Sequence, residues 1–222
     1  MAAMTASTLT GRVADLQLRG ANGPLRARVC WPGRARDEDA APPLMLAFKT
    51  RGDDADGLCR ALAEAAGVVV LATGWRFDAN EPSSSAFYEA RAVLEWAADH
   101  GGELDADPAR LIVAGEGPGA ALAAGVALHA RDDWWPAIAR QVLVHPVLDV
   151  WQASVPYVGS LRTAPVGGGA PATIVTRTSA RCGGRQYAAR LRLAGVDVEE
   201  LRHDDADDPA LLAELVETLR RL

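Results

Sequence analysis

Apolar and polar positions follow two alternating patterns along the chain. Short apolar runs have the length of buried strands, and longer segments between them repeat apolar residues at helical spacing. The pattern predicts strands at 12–18, 25–31, 44–49, 68–73, 111–115, 141–146, 172–177 and 196–202. It predicts helices at 57–66, 84–100, 118–131, 184–194 and 209–222. Strands that alternate with helices indicate an α/β fold, a three-layer αβα sandwich around a mostly parallel eight-stranded sheet.

Length and composition favour a single domain over residues 1–222, with a flexible N-terminus at 1–11, because no linker-like segment divides the chain. The net charge is −6 and the basic residues are scattered, so no nucleic-acid partner is expected. No apolar run reaches the ~20 residues that span a bilayer, and the first ten residues lack a signal-peptide pattern. We therefore expect no membrane association and a cytoplasmic location. Three widely spaced cysteines indicate neither disulfides nor a metal site, and no cofactor is expected.

The most informative segment is a glycine-rich turn between a predicted strand and an alanine-rich helix. It reads Gly115, Glu116, Gly117, Pro118 and Gly119. Small residues at 115 and 119 allow a sharp turn against neighbouring backbone, and Pro118 suits the first helical position. This strand, turn and helix resemble the nucleophile elbow of α/β-hydrolases.

Further matches in the same order extend the likeness over roughly residues 12–216. They include the hairpin segments 23–25 and 30–32, the helix segment 58–63, the run from 89 to 132 through Asp107 and Pro108, and the strand end 145–149. Together they resemble the hormone-sensitive-lipase branch of the α/β-hydrolase family. The resemblance implies the α/β-hydrolase fold. It also implies that the cap domain of that branch is missing or minimal, because only about twenty residues separate positions 149 and 171.

The resemblance also shows where this chain departs from the family's catalytic pattern. The serine position corresponds to Gly117, which has no side chain, and the next residue, Pro118, has no N–H for an oxyanion hole. The acid position falls at Ala180 and the base position near Asp208. The oxyanion loop at 48–52 lacks the family's His-Gly-Gly-Gly sequence. The catalytic triad and oxyanion hole are therefore expected to be degenerate, and no catalytic residue is assigned by family pattern.

Other side chains are candidates for the same edge of the sheet, where such sheets bind ligands. They are Lys49, Arg51, Glu116, Gly117, Pro118, His145, Asp149 and His203. Lys49 is the only lysine, and it is either a desolvated base or Schiff-base nucleophile, part of an anion site with Arg51 near the helix start, or an ordinary solvated charge.

The histidines leave alternatives open in the same way. His203 is either a substitute base or a surface residue at the start of an acidic loop. His145 and Asp149 follow the sixth strand, where some α/β-hydrolases keep their acid. His100 and His129 are expected to be structural, and Glu116 is expected either to face the cleft or to pack under the elbow.

Three tryptophans stand apart from the predicted elements. Trp134 and Trp135 follow the elbow helix, and Trp151 begins the shortened cap region. They predict either a contact with a protein partner or a second copy, or simple packing over the helix layer.

These observations favour a non-hydrolytic protein that binds a small molecule or catalyses a different reaction, such as a cyclisation or elimination. The alternative is a pseudoenzyme that regulates a partner. A third possibility is an esterase-like hydrolase with displaced catalytic groups. A deep, polar-lined cleft would favour the first, and a flat apolar patch around Trp134 and Trp151 would favour the second.

Overall fold

Eight strands form one sheet in the part of the chain that the computed structural model describes, which is residues 11–21, 23–33, 40–49, 55–74, 84–148, 157–178, 183–206 and 208–222. The strands are β1 (Val13–Gly20), β2 (Gly23–Cys30), β3 (Pro43–Lys49), β4 (Val69–Gly74), β5 (Asp107–Glu116), β6 (Ile138–Val144), β7 (Ala172–Thr176) and β8 (Val198–Arg202). The helices are α1 (Ala55–Ala66), α2 (Ser84–His100), α3 (Pro118–Asp132), α4 (Gly183–Leu193) and α5 (Pro209–Arg220).

The sheet is parallel except at one edge. Its strand order is β1-β2-β4-β3-β5-β6-β7-β8, and only the β1–β2 and β2–β4 pairs are antiparallel. The central strands are apolar on both faces, as in β4 and in the Leu111–Ala114 part of β5, because helices cover both sides of the sheet. The carboxyl ends of β3 and β5–β8 therefore lie along one edge of the molecule.

Helices α2, α3 and α4 pack in the core on one face of the sheet, and α1 and α5 pack in the core on the other. Helix α3 is buried over nearly its whole length, and most of the residues from Gly119 to Ala130 are small. Small side chains allow this helix to approach the sheet closely behind the turn that precedes it. The predicted α/β sandwich with a mostly parallel eight-stranded sheet is confirmed.

Some element boundaries differ from the sequence prediction. Strand β6 was expected at 141–146 but ends at Val144, because His145 has a φ of 45° and cannot continue a strand. Two short 3-10 helices, Gly101–Leu104 and Val158–Ser160, were not predicted. The expected flexible N-terminus lies almost wholly outside the described residues. Within the described residues, no helix has the length and apolar character needed to cross a membrane.

Candidate functional site

The turn between β5 and α3 has the backbone of a sharp elbow. Its central residue, Gly117, has φ 54° and ψ −121°, a conformation that side-chain-bearing residues rarely adopt. A Cβ at Gly115 would lie 2.3 Å from the carbonyl carbon of Gly119, and a Cβ at Gly119 would lie 2.2 Å from the carbonyl oxygen of Phe48. These two glycines are therefore required by close backbone contacts. A Cβ at Gly117 would meet no atom of the described residues within 4 Å, so these residues leave the tip of the elbow open.

The segment after β6 holds this elbow through both backbone polar groups of Gly117. The Gly117 N–H donates to the carbonyl of Val144 over 2.9 Å, and the Val147 N–H donates to the carbonyl of Gly117 over 3.1 Å. The residues on either side of His145 and Pro146 are thus attached to the tip of the elbow. The sequence motif at 115–119 and residues 145–148 form a single structural unit.

His145 lies between these two hydrogen bonds, and only 5% of it is exposed. Its N–H donates to the carbonyl of Val175 over 3.0 Å. Its Nε2 lies 2.7 Å from the carbonyl oxygen of His203. Since a carbonyl oxygen only accepts, Nε2 carries the proton. His145 therefore connects the ends of β6, β7 and β8 at the edge that carries the elbow.

His203 follows β8, and its ring faces two carboxylates of the α5 segment. Its Nδ1 lies 2.9 Å from Oδ2 of Asp208, and its Nε2 lies 3.4 Å from Oε1 of Glu214. The hydrogen bond with Asp208, helped by Glu214, raises the pKa of His203 above its ordinary value of 6.5. The expectation of a surface residue is wrong, because only 10% of the His203 side chain is exposed.

Asp208 stands where the family pattern places the base, and it is the direct partner of His203. Its Oδ1 accepts from the N–H of Ala210 and caps α5. The hydrogen bond from His203 holds the pKa of Asp208 below its ordinary value. The sequence showed that position 208 is an aspartate and not a histidine. It did not show that His203 forms a hydrogen bond with that aspartate.

A second contact fixes the loops after β7 and β8 to each other. The N–H of Thr178 donates to Oδ1 of Asp204 over 2.7 Å, and the Thr178 hydroxyl donates to Oδ2 over 2.5 Å. The carbonyl of Asp204 accepts from Nε of Arg177 over 3.2 Å. The segment that carries His203 is thus attached to β7 on one side and to α5 on the other.

The remaining candidates contribute less to this unit. Glu116 is exposed, so of its two alternatives it does not pack under the elbow, and a role at the cleft stays a prediction. Pro118 is the first residue of α3, as expected. Lys49 ends β3 at the same edge, and the structure describes only its backbone. The positions Arg51, Asp149 and Ala180 lie outside the described residues. No group of three metal-binding side chains is found among the residues that are described.

The other two histidines lie away from the elbow. His100 ends α2, and its Nδ1 lies 3.0 Å from Oε1 of Glu103. His129 packs against Phe87 and Tyr157 near the far end of α3, with its Nε2 3.4 Å from Asp133. Eleven residues of helix separate His129 from Pro118, about 16 Å at the rise of an α-helix. Both histidines have the structural contacts that were expected.

A cavity of about 730 Å³ lies at the opposite end of the sheet from the elbow. It is bordered by the last turn of α3, the start of β6 and the glycines 167–169, and Trp134 forms one side. Trp134 is 93% exposed and Trp135 46% exposed, whereas Trp151 lies outside the described residues. The cavity is therefore separate from the candidate cleft, and the predicted partner contact through these tryptophans stays a prediction.

Comparison with known proteins relates the chain to ester-cleaving enzymes. A family model described as alpha/beta hydrolase fold matches residues 48–157. Esterase LipI of Mycobacterium tuberculosis is 35% identical over 161 residues, which are 70% of this chain and 50% of LipI. Carboxylesterase NlhH of the same species is 30% identical over 125 residues, 54% of this chain and 38% of NlhH. The chain thus spans half or less of the length of these curated relatives.

Solved structures show the same fold over nearly all of the chain. An esterase from the archaeon Pyrobaculum calidifontis superposes with a TM-score of 0.84 at 23% identity, covering 95% of this chain and 85% of that one. EstE1, a thermostable carboxylesterase from a metagenomic library, gives a TM-score of 0.82 at 25% identity and covers 95% and 88%. A bacterial heroin esterase gives 0.85 at 22% identity and covers 97% and 86%.

These comparisons correct the main functional prediction. The interpretation as a non-hydrolytic binding protein or repurposed catalyst is wrong, because the curated relatives and the structural neighbours are esterases. They also give no support to the pseudoenzyme alternative. The third possibility, a hydrolase with displaced catalytic groups, agrees best with them.

Proposed function

Because the chain belongs to the α/β-hydrolase family, in its hormone-sensitive-lipase-like branch, we propose that it is an ester hydrolase with catalytic groups displaced from the usual positions. One observation carries the proposal: the strand, sharp turn and helix of a nucleophile elbow are retained, with Gly117 at φ 54° and two required glycines beside it. Its substrate is a small carboxylic ester, and its place of action is the cytoplasm.

The absence of a side chain at Gly117 determines what the nucleophile is. A glycine cannot form an acyl-enzyme, so the group that attacks the ester carbonyl is water. The tip of the elbow is open, with no atom within 4 Å of a Cβ built there, and this leaves room for the water beside the ester. Water then attacks the ester directly, without an acyl-enzyme, and a general base takes the proton of the water.

The start of α3 supplies the electrostatic part of the site. The first N–H groups of a helix have no partner within the helix and carry partial positive charge. Pro118 provides none of them, so the N–H groups of Gly119 and Ala120 are the ones that lie nearest the elbow. They favour the negative charge that develops on the ester oxygen when water attacks.

The test measures hydrolysis of p-nitrophenyl acetate and butyrate by the purified protein and by two elbow variants. Gly117→Ala and Gly117→Leu impose the same backbone strain, but only leucine fills the open tip. We expect turnover above the buffer rate for the unmodified protein, and at least about a tenfold lower kcat/KM for Gly117→Leu than for Gly117→Ala, because a displaced reacting group loses that much or more.

Two results would contradict the proposal. The first is no turnover above buffer with any ester. The second is equal turnover by Gly117→Leu and Gly117→Ala, both folded by circular dichroism, because the reaction would then take place away from the elbow.

A further inference from the structure

Helix α3 ends in a backbone motif in which glycine is the usual residue. The N–H of Trp135 donates to the carbonyl of Ala130 over 2.9 Å, and the N–H of Trp134 donates to the carbonyl of Arg131 over 3.2 Å. This pair of hydrogen bonds is the Schellman motif, which places the second residue after the helix in the left-handed conformation. Here that residue is Trp134, with a φ of 59°. The conformation is an outlier for a bulky side chain, and glycine would adopt it without strain.

The side chain at this strained position is also the most exposed large apolar one in the described part of the chain. Trp134 is 93% exposed, and the adjacent Trp135 is 46% exposed. Trp134 thus carries two costs, a strained backbone and an indole in water, and its exposure leaves little contact to offset them. Strained residues that persist in a fold are typical of functional positions. We therefore expect this indole to be covered by another molecule.

A preformed cavity of about 730 Å³ lies next to the indole, and segment 165–171 supplies one of its walls. This segment is attached to α3, because Nη1 of Arg131 donates to the carbonyl of Pro165 over 2.7 Å. It is attached to β6, because Nε2 of Gln141 donates to the carbonyl of Ala170 over 2.9 Å. The volume is in the range of pockets that enclose a small ring system. The cavity can therefore receive an indole with little rearrangement.

The charged side chains that border the cavity are paired with each other. Nη2 of Arg131 lies 2.6 Å from Oδ1 of Asp132, and the other bordering side chains among the described residues are uncharged. The cavity therefore offers no net charge to an ion. An uncharged apolar ring is the group that it suits, because the transfer of such a ring out of water leaves no buried charge unpaired.

We propose that two copies of the chain associate through this surface, with Trp134 of each copy inserted into the cavity of the other. The exposed ring and the cavity lie side by side on one surface. A two-fold axis through such a surface pairs each ring with the opposite cavity, because the same patch of both subunits forms an isologous interface. One symmetric contact thus covers both indoles and fills both cavities, which a small ligand in the cavity would not do.

The size of this contact predicts a weak dimer. An inserted indole buries about 200 Å² of its own surface and covers a similar area of cavity wall, so two insertions bury about 800 Å². Stable interfaces begin at roughly 1,200 Å², so we expect a dissociation constant in the micromolar range or weaker. The cavity lies at the opposite end of the sheet from the elbow, so the association does not depend on the proposed hydrolysis.

Sedimentation velocity tests the association over about 1–300 μM, a range around the affinity expected for a contact of this size. The unmodified protein should change from monomer to dimer as its concentration rises. Trp134→Gly removes the ring, and Ala137→Gln obstructs the cavity, because Ala137 is exposed and borders it. Each variant should weaken the association at least about tenfold, as loss of a central aromatic contact does.

Two control variants accompany them. Ala213→Gln makes the same substitution at an exposed position of α5, which packs on the other face of the sheet, and it should associate like the unmodified protein. Trp134→Phe retains an aromatic ring at the strained position, and it should associate more strongly than Trp134→Gly. Because the insertion is apolar, about 1 M NaCl, which screens charge pairs, should not weaken the association.

A stability measurement separates a ring that serves association from one that serves the fold. In dilute solution, where the protein is monomeric, Trp134→Gly should raise the urea midpoint, because glycine relieves the strain at a φ of 59°. The same substitution should weaken dimerisation at high concentration. A lower midpoint together with unchanged association would make Trp134 a structural residue and overturn the inference.

Three sedimentation results would also overturn it. A monomeric unmodified protein over the whole range would mean that the indole is covered by a different partner or by none. Association of Trp134→Gly equal to that of the unmodified protein would place the interface elsewhere. Association of Ala137→Gln equal to that of the unmodified protein would show that the ring does not enter the cavity. None of these results depends on whether the protein hydrolyses an ester.

Discussion

At the scale of single residues, the three glycines of the elbow have different physical roles. A Cβ at Gly115 or Gly119 would lie 2.3 Å or 2.2 Å from a backbone atom, which is too close for any side chain. At position 117 only the φ of 54° disfavours a side chain, because no atom of the described residues would lie within 4 Å of a Cβ there. A side chain at 117 is therefore limited by strain, and a side chain at 115 by direct overlap with backbone.

This difference predicts unequal costs for the same substitution. Gly117→Ala or Gly117→Ser should lower the free energy of unfolding by about 1–2 kcal/mol, the cost of a left-handed conformation. Gly115→Ala should cost about 3 kcal/mol or more, because the overlapping atoms are backbone and cannot move aside. Urea unfolding of the variants measures both. Equal losses at 115 and 117 would show that the elbow relaxes, contrary to the described contacts.

The residue roles show what sequence alone could provide. Gly117, Pro118 and His145 could be placed at one edge because the turn motif and the strand ends are local patterns. The pairing of His203 with Asp208 and Glu214 could not be predicted from the sequence, because it depends on how the chain between β8 and α5 folds back. The sequence does contain a signal for this pairing, because His203 is followed by acidic residues before and within α5. Acidic runs of this kind are usually solvated, so the signal was not specific.

At the scale of elements, the His203 contacts attach α5 to the end of β8. Asp208 caps α5 and Glu214 lies further along the same helix, so one imidazole ring contacts two points of the element. Because the pKa of His203 is raised in the folded state, this stabilisation is complete below the unfolded pKa near 6.5. It is lost as the pH rises through the higher folded pKa.

We therefore expect the unmodified protein to lose more stability than His203→Gln when the pH is raised from 6 to 8.5. Urea unfolding at both values measures the difference, and hydrogen exchange locates it, with α5 amides exchanging faster at the higher pH. The pKa of Asp208 is lowered in the folded state, so the stability that its ionised form adds does not change between pH 6 and 8.5. That stability is lost only at acid pH, as the pH falls through the folded pKa, which lies below 3.8. An equal change in the free energy of unfolding of the unmodified protein and of His203→Gln between pH 6 and 8.5 would contradict the stabilising role of the His203 contacts.

The element predictions succeeded where the periodicity was strong. Helix α3 and strand β4 were placed within a residue or two of their observed bounds, because long apolar runs leave little choice of structure. Strand β6 was placed too late, because the apolar pattern continues through Val144 and the turn at His145 depends on the elbow beside it. The short helix Val158–Ser160 was missed because three residues carry no detectable period.

At the scale of the whole molecule, the layer arrangement followed from the alternation of strands and helices, and the comparisons confirm it. The functional prediction at this scale was wrong, and the cause of the error is physical. The departures at Gly117, Pro118, Ala180 and Asp208 were taken to make ester hydrolysis the least favoured of three possibilities. The sequence placed His145 and His203 at the same edge as the elbow, but the hydrogen bond between His145 and the carbonyl of His203 was not visible in the linear pattern.

The exposed tryptophan face leads to a prediction about assembly. An indole that is 93% exposed beside a cavity is costly in water, and we expect Trp134 to contact a second copy of the chain. Sedimentation equilibrium should show self-association of the unmodified protein and a shift toward monomer in Trp134→Ala. Leu193→Ala, which removes an 89% exposed leucine from another face, is the matched control and should associate like the unmodified protein. A monomeric unmodified protein would contradict the prediction.

The open space at the tip of the elbow also has an evolutionary meaning. Steric contacts prevent change at positions 115 and 119, whereas position 117 can vary without loss of the fold. A glycine codon that ends in a pyrimidine differs from a serine codon by one base. A lineage with this elbow can therefore gain or lose a hydroxyl at the nucleophile position in one mutational step, and selection on the chemistry is separated from selection on folding.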